Sequence, residues 1–254
     1  MPELGLNIDH IATLREVRYR NWKQGLPPEP SVLEAARQAE RAGVDSITVH
    51  LREDRRHIQQ ADVRDLSRAI LLPLNLEMAA TLAMTRQALL LKPDEVCLVP
   101  ENREEITTEG GLNLIGDERR IKGVVRKLHS VKIQVSIFID PELAQVEAAH
   151  RIGAESIELH TGAYANVTSP RQQHKELARH ARAAAFANEL GLRVNAGHGL
   201  HYSNIREYIE VVPHLHTLNI GHAIIARAIF VGLDQAVTEM LALLRQPGFL
   251  HNVD

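Results

Sequence analysis

Eight short apolar runs recur along the chain at intervals of about thirty residues, and no other feature of the sequence restricts the fold as strongly. They occupy residues 4–8, 46–50, 74–78, 95–100, 134–139, 156–160, 193–198 and 217–222. A stretch with helical periodicity follows each run, and the runs lack strict polar alternation, as expected of buried parallel strands. The pattern predicts an α/β chain that closes into a (β/α)8 TIM barrel, since closure removes both sheet edges. An open doubly wound sheet is the alternative.

The length of the chain and its helix signals fit one domain. With 254 residues, of which 44% are hydrophobic, the chain is long enough for a single (β/α)8 barrel domain over residues 1–254, with a few extra helical or loop insertions. Ser31 and Gly43 bracket a predicted helix at 32–42, and Gly153 and Gly191 end two others. A further helix at 84–91 stops before Pro93.

Composition narrows the classes of function. The net charge of −3 argues against general nucleic-acid binding, which usually brings a basic excess. The single cysteine, Cys97, excludes internal disulfides and Cys-rich metal sites and fits a reducing compartment. No window reaches the ~18 apolar residues of a membrane span. We therefore expect a soluble, cytoplasmic protein whose partners are neither nucleic acid nor membrane.

Two connections are longer than the short loops usual in βα units. Residues 14–30, after the first strand, form a basic segment with the only tryptophan, Trp22, and we expect an inserted loop there. For residues 100–116, after the fourth strand, we expect an active-site lid loop, for which Gly110 and Gly111 would supply the hinge. A merely tolerated insertion is the alternative interpretation of the second connection.

Glycines and arginines at the strand ends predict an anion site. In a barrel of this kind the active site lies at the carboxyl ends of the strands, and the loops after strands seven and eight commonly hold phosphate. Residues 197–199 and 221–222 are glycine-rich at those two positions, and a helix begins directly afterwards. The guanidinium groups of Arg52, Arg55 and Arg56 suit phosphate oxygens. We expect at least one of them to pair instead with Glu53 or Asp54.

Histidines and carboxylates at the same rim predict proton transfer. Imidazole exchanges protons near neutral pH, and burial raises the pKa of a carboxylate towards the range useful for a general base. Glu77 and Glu158 are the two candidate carboxylates, although a structural ion pair between Glu77 and Arg52 is the alternative. Six histidines lie at or just beyond strand ends: His10, His50, His57, His160, His198 and His222.

Two other classes of function compete with acid–base catalysis. The histidines together with Asp9, Glu77 and Glu158 would also suit a divalent metal, as in a metal-dependent barrel hydrolase or aldolase acting on a phosphorylated small molecule. The sequence lacks a His-x-His pair on the first strand and a His-Glu-x-x-His helix, which weakens that alternative. A catalytically silent barrel that only binds a sugar phosphate is the third class. From the residues alone, we infer a phosphate-handling lyase, isomerase or synthase.

Seven ordered blocks, read together, resemble the pyridoxine 5′-phosphate synthase family of vitamin B6 biosynthesis. The blocks are NIDHIATLR at 7–15, TVHLREDRRH at 48–57, NLEMA at 75–79, TTEGG at 107–111, HTG at 160–162, VNAGHGL at 194–200 and LNIGHA at 218–223. The resemblance covers residues 4–240. It implies condensation of 1-deoxy-D-xylulose 5-phosphate with 3-amino-2-oxopropyl phosphate to pyridoxine 5′-phosphate, inorganic phosphate and water, in a cytoplasmic homo-octamer that needs no metal or organic cofactor.

The resemblance also implies roles for individual residues. His50 and Glu77 would be proton acceptors, and His198 would be the proton donor. The amino-ketone phosphate would be held by Asn7, Arg18, Gly199, Gly221 and His222. The deoxyxylulose phosphate would be held by Asp9, His10, Arg52, His57 and Thr107. This chain departs from the family in one place, since the segment 19–30, directly after Arg18, is longer than the usual family connection and Glu29 stands where an aspartate is typical.

Overall fold

The computed structural model describes residues 1–20, 28–101 and 110–245 and shows a closed barrel of eight parallel strands. Each strand pairs with its neighbours in chain order, and the last strand pairs with the first. The strands are β1 (Glu3–Asn7), β2 (Ser46–His50), β3 (Leu74–Ala79), β4 (Glu95–Val99), β5 (Gln134–Ile139), β6 (Ser156–His160), β7 (Arg193–Gly197) and β8 (Leu215–Ile220).

Helices surround the barrel. They are α1 (Asp9–Tyr19), α2 (Val32–Ala42), α3 (Gln60–Ala69), α4 (Leu82–Leu91), α5 (Glu118–His129), α6 (Leu143–Ile152), α7 (Gly162–Asn166), α8 (Pro170–Glu189), α9 (Ile205–Val211), α10 (His222–Val231) and α11 (Leu233–Arg245). Ser31 caps α2 by accepting a hydrogen bond from the Glu34 backbone N–H, and Gly43 ends it in the left-handed conformation.

The strands divide their side chains between two environments. Leu4 and Leu6 of β1 are fully buried in the large apolar core, as are the matching outward residues of the other strands. The alternate residues point into the barrel. There, Asn219 of β8 accepts a hydrogen bond from Thr48 of β2 and donates one to Glu158 of β6, and neither strand is adjacent to β8. The apolar side chains therefore hold the helices against the barrel, while the barrel interior carries polar groups up to the site.

The predicted architecture is confirmed: the chain is a single-domain (β/α)8 TIM barrel. The predicted strands at 46–50, 134–139 and 156–160 and the helix at 32–42 coincide with the observed elements, and β8 begins two residues earlier than predicted. Within the described ranges, the structure has no helix of the length and hydrophobicity needed to cross a bilayer.

The predicted inserted loop at 14–30 is wrong over its first part, because residues 14–19 continue helix α1. The sequence of α1 lacks glycine and proline and is rich in strong helix formers. Arg15 also faces inward and makes a bidentate ion pair with Asp62 at the start of α3, with N–O distances of 2.6 and 2.7 Å. Residues 21–27 lie outside the described part of the chain.

The predicted lid loop at 100–116 also falls only partly within the described residues, since 102–109 lie outside them. Its far end is anchored to β5, where the Leu112 backbone N–H donates to the Phe138 carbonyl at 2.7 Å. A Cβ at Gly111 would lie 2.1 Å from the backbone nitrogen of Asp140. Gly111 thus has a packing reason to be glycine, independent of any hinge.

Candidate active site

A cavity of about 450 Å³ opens at the carboxyl ends of the strands. Its wall is formed mainly by residues from the ends of β1, β2, β3, β7 and β8 and from the loops that follow them. The lining includes Asn7, Asp9, His10, His50, Arg52, His57, Glu77, Glu158, His198, Gly199, Gly221 and His222. Its position matches the usual active-site face of a (β/α)8 barrel.

His50 sits at the centre of a hydrogen-bonded network at the end of β2. Its backbone N–H donates to Asp9 Oδ1 at 2.8 Å, and its Nε2 lies 3.0 Å from Glu101 Oε1. Its Nδ1 lies 3.8 Å from Glu77 Oε2, on the residue that pairs with His50 in the β2–β3 ladder. Both ring nitrogens therefore face carboxylates, and the main chain is fixed as well.

The two carboxylates Glu77 and Glu158 have raised pKa values. For Glu77, burial raises the pKa well above its ordinary value, and the nearby charges of Glu158 and Asp9 raise it further, against a hydrogen bond from Asn7. For Glu158, burial is again the main cause of the raised pKa, opposed by the hydrogen bond from Asn219 Nδ2, at 2.6 Å from Oε2. The cavity therefore contains two carboxyl groups that bind protons more tightly than an exposed carboxylate, and the pKa of Glu158 is raised to about 7.

His198 projects from the loop after β7, where its backbone adopts the left-handed conformation with φ of +69°. This region is uncommon for a residue other than glycine, and it recurs at functional sites. The His198 ring lies 5.3 Å from the ring of His160, centroid to centroid. His160 Nδ1 in turn lies 3.1 Å from Asp140 Oδ1, which also accepts the Gly111 N–H at 3.1 Å.

The glycines at the ends of β7 and β8 make room for backbone and side-chain contacts. A Cβ at Gly197 would lie 2.4 Å from Glu158 Oε1, and one at Gly199 would lie 2.9 Å from the Cβ of Ala165. Gly221 precedes helix α10, whose first turn has backbone N–H groups without intrahelical acceptors. These N–H groups and the helix dipole favour an anion at this edge of the cavity.

Burial lowers the pKa values of two histidines that line the cavity, His10 and His57. For His10 the main cause is desolvation, and the neighbouring His222 ring, 5.0 Å away, lowers the pKa further while Asp9 raises it. For His57 desolvation again dominates, with Asp9 opposing it. These histidines are favoured in the neutral form, in which each has one donor and one acceptor nitrogen.

The three arginines after β2 differ in their contacts. Arg52 is buried and lines the cavity. Arg56 forms the expected ion pair with Asp54 at 2.6 Å, while still reaching the cavity wall. The Arg55 guanidinium instead packs against the sulfur of Met84 and the Arg52 carbonyl, away from the cavity.

The structure brings together eleven of the thirteen predicted site residues. Arg18 lies exposed on the last turn of α1, with its guanidinium over the Tyr19 ring, and does not line this cavity. Thr107 lies outside the described residues. Glu77, for which a structural ion pair with Arg52 is the alternative role, faces His50.

Two residues at strand ends were not singled out from the sequence as site residues. Glu101 follows β4 and contacts His50, and Asp140 follows β5 and contacts His160. Both carry the signal that identified the other candidates, which is an ionisable side chain directly after a buried strand. The sequence does not show that their carboxylates turn towards the histidines.

One group of side chains has the chemistry of a cation site. Ligand atoms of Asp9, His50 and Glu77 lie within 4.8 Å of one another, and no other set of this kind occurs among residues 1–20, 28–101 and 110–245. Two carboxylates and an imidazole would suit a divalent transition metal. The same three groups also have the arrangement needed to pass protons, as described above.

Comparisons with known proteins identify relatives over nearly the whole chain. Residues 4–246 match the family model described as pyridoxal phosphate biosynthesis protein PdxJ. The pyridoxine 5′-phosphate synthase of Akkermansia muciniphila is 55% identical over 93% of this chain and 96% of its own length. The pyridoxine 5′-phosphate synthase of a Synechocystis species is 53% identical over 97% of this chain and all of its own length.

Solved structures with low sequence identity share the fold. The 3-keto-L-gulonate-6-phosphate decarboxylase of Vibrio cholerae superposes with a TM-score of 0.63 at 13% identity, covering 97% of this chain and 99% of that one. The phosphoribosyl anthranilate isomerase of Thermus thermophilus superposes with a TM-score of 0.59 at 14% identity, covering 95% and 98%. These similarities confirm the barrel alone.

Proposed function

The chain belongs to the PdxJ family and synthesises pyridoxine 5′-phosphate, and we propose that His50, Glu77 and His198 carry the proton transfers of this reaction. The substrates are 1-deoxy-D-xylulose 5-phosphate and 3-amino-2-oxopropyl phosphate, and the other products are inorganic phosphate and water. The observation that best supports the assignment of roles is the placement of His50 and Glu77 side by side in the β2–β3 ladder, facing one cavity.

The reaction needs several proton transfers at different atoms. The amine of one substrate attacks the ketone of the other, and loss of water gives an imine. Phosphate and further water then leave, and a carbon–carbon bond closes the ring. Each addition needs a base to take a proton, and each elimination needs an acid to give one to the leaving oxygen.

His50 and Glu77 act as the proton acceptors in this proposal. Burial raises the pKa of the Glu77 carboxyl, and a carboxylate with a raised pKa is a stronger base than an exposed one. His50 Nδ1 lies 3.8 Å from the Glu77 carboxylate, so in this proposal the two groups take protons from neighbouring positions of one substrate. His198, on the β7 loop across the cavity, is the proton donor to the departing hydroxyl groups.

Two phosphate groups need two binding regions in this cavity. Asn7, Gly199, Gly221 and His222 hold the amino-ketone phosphate at the first turn of α10, where backbone N–H groups are available. Asp9, His10, Arg52 and His57 position the deoxyxylulose phosphate near β2. Thr107 completes this second group in the proposal, although it lies outside the described residues.

We further propose that the protein is a cytoplasmic homo-octamer. An exposed apolar face on α1 and α10 supports assembly, with Val17 82% and Phe230 84% exposed. Monomeric proteins rarely leave such side chains clustered in water. Arg18 lies next to Val17 on α1, so burial of this face would carry Arg18 towards a neighbouring subunit. A single buried free cysteine, Cys97, fits a reducing cytoplasm.

The alternative is a metal-dependent barrel hydrolase or aldolase. The cluster of Asp9, His50 and Glu77 is the observation that favours it. The relatives' names do not support it, since both describe a synthase that forms pyridoxine 5′-phosphate. Metal dependence is the property that separates the two functions.

The test is an assay of chelator-treated protein with both substrates, in which phosphate release and pyridoxine 5′-phosphate are followed together by mass spectrometry. We expect both products in equal amounts without added metal. Activity that returns only when a divalent cation is restored would favour the alternative. Absence of product with and without metal, in correctly folded protein, would contradict the proposed reaction.

A further inference from the structure

Glu101, the second residue after β4, places its carboxylate beside Nε2 of the His50 ring. The side chain is only 7% exposed. Its Oε1 accepts the Ala79 backbone N–H at 3.2 Å and lies 3.0 Å from His50 Nε2, while its Oε2 accepts the Glu53 backbone N–H at 3.0 Å. Three donors from two different strand ends therefore converge on this one carboxylate.

These contacts keep Glu101 ionised. Burial alone would raise its pKa, but the hydrogen bonds from His50 and from the Glu53 N–H, together with the charge of Arg52, lower the pKa below the ordinary value. An ionised carboxylate has no proton to donate, so it can only accept. The hydrogen bond between the two side chains is consequently donated by His50 Nε2.

The consequence for His50 concerns which ring nitrogen carries the proton. In the neutral imidazole one nitrogen is a donor and the other an acceptor, and the bond made by one decides the state of the other. With the proton on Nε2, the lone pair is on Nδ1. Nδ1 faces Glu77 at the cavity, which is where a substrate proton would be removed.

We propose that Glu101 is a positioning residue, which fixes the orientation and the Nε2–H tautomer of His50 so that Nδ1 is the base. The role rests on the proposed function of His50 as a proton acceptor. Glu101 is not among the residues that line the cavity. It acts through His50, in the way that the buried carboxylate of a catalytic triad holds its histidine.

Other charged or titratable groups near His50 also influence where its ring proton lies, and they belong to different elements. Asp9 of α1 accepts the His50 backbone N–H, and Glu77 of β3 faces Nδ1. The His57 ring lies 6.1 Å away, and Arg52 follows on the same loop. Of the two carboxylates within reach of the His50 ring, Glu101 makes the closer contact, at 3.0 Å against 3.8 Å for Glu77.

The direct test measures the tautomer of His50 in the unaltered protein. Solid-state ¹⁵N spectra of histidine-labelled protein distinguish the two neutral tautomers and the imidazolium, and the loss of signals in His50→Asn assigns the residue. We expect a protonated Nε2 and an unprotonated Nδ1 at a pH where the ring is neutral. A proton on Nδ1 in that state would overturn the proposal.

The second test is Glu101→Gln, because an amide has one acceptor oxygen for the three donors. We expect kcat to fall by about tenfold or more, with KM changed little, and the acid limb of the kcat profile to move to lower pH, since an amide stabilises an imidazolium less than a carboxylate does. A purely structural role would change thermal stability without moving that limb. An unchanged kcat and an unmoved limb would contradict the proposal.

Glu53→Gln is the matched control. Glu53 lies on the same rim and is exposed, and its carboxylate accepts from Thr81 Oγ1 at 2.9 Å instead of contacting His50. We expect the pH profile of this variant to overlay that of the unaltered protein. If the acid limb of the kcat profile moved as far in Glu53→Gln as in Glu101→Gln, the effect would come from general surface charge. If the unaltered protein made no product, the proposed function would fail, whereas the ¹⁵N experiment would still report on the contact.

Discussion

At the scale of single residues, Glu77 is a carboxylate whose pKa is set by its surroundings. Burial and the charges of Glu158 and Asp9 raise its pKa. We expect Glu77→Gln to lower kcat at least 100-fold, because an amide cannot accept a proton. The fold should persist, since Gln has the same shape and removes a repulsion with Glu158. Single-turnover kinetics and thermal unfolding of the same preparation measure the two effects.

Glu95→Gln is the control for this prediction. Glu95 is also a barrel carboxylate whose pKa is raised mainly by burial, but it lies at the first residue of β4, at the opposite end of the barrel. We expect its turnover to stay far closer to that of the unaltered protein than the turnover of Glu77→Gln does, because Glu95 does not line the cavity. Near-normal turnover of Glu77→Gln would remove Glu77 from the mechanism.

The variant Glu77→Gln has a second measurable effect, on the pH dependence of the free energy of unfolding. Folding raises the pKa of Glu77 above its ordinary value of 4.5, so the folded state holds the proton more tightly than the unfolded state. The contribution of Glu77 to the free energy of unfolding is therefore complete below about pH 4.5 and decreases as the pH rises through the folded pKa. We expect Glu77→Gln to lose less stability than the unaltered protein between pH 4.5 and neutrality.

At the scale of elements, the contact between Gly111 and β5 controls how the segment after β4 meets the barrel. A Cβ at Gly111 would approach backbone atoms of Asp140 and Ile139 to within 2.1 and 2.4 Å, and backbone atoms in a barrel strand cannot move aside cheaply. We expect Gly111→Ala to lower the free energy of unfolding by about 1–3 kcal/mol, as measured by urea denaturation. It should also weaken the Gly111 N–H bond to Asp140.

Gly116→Ala is the matched substitution in the same connection. Among the described residues, no atom lies within 4 Å of its added Cβ, and Gly116 does not have a positive φ. We expect no loss of stability, and a gain of up to about 1 kcal/mol from the smaller entropy of the unfolded chain. Equal effects at both glycines would show that contact with β5 does not decide the outcome.

The elements also show how far the sequence specifies this fold. The spacing of apolar runs predicted all eight strands, because burial between helices requires them to be apolar. The helical continuation over residues 14–19 was missed, because basic side chains there resemble a solvated loop. The ion pair of Arg15 with Asp62, 47 residues away, joins α1 to α3 and is not visible in local sequence.

For the site, as for the fold, the sequence predicted which residues take part but not the contacts between distant side chains. Residues such as His50 and Glu77 follow from their place at strand ends, and family resemblance supplied their roles. The orientation of Glu101 towards His50 depends on backbone donors from Glu53 and Ala79. Such contacts arise only when the barrel closes, so the positioning residue could not be derived from the order of residues alone.

At the scale of the whole molecule, the apolar face formed by α1 and α10 is the surface through which we propose that copies of the chain associate. The two helices pack side by side. Leu14 and Val17 are 58% and 82% exposed on α1, and Ile229 and Phe230 are 72% and 84% exposed on α10. Burying four such side chains contributes several kcal/mol to association, at about 25 cal/mol per Å² of apolar surface.

We expect Phe230→Asp to lower the molar mass measured by light scattering at micromolar concentration, because a buried unpaired carboxylate opposes association. Leu90→Asp is the control, since Leu90 is 73% exposed on α4, on the far side of the barrel from α1 and α10. If both variants kept the mass of the unaltered protein, this face would not be the interface. If only Phe230→Asp dissociated and its turnover also fell, the neighbouring subunit would be required for a complete site, which is the outcome expected if Arg18 acts across the contact.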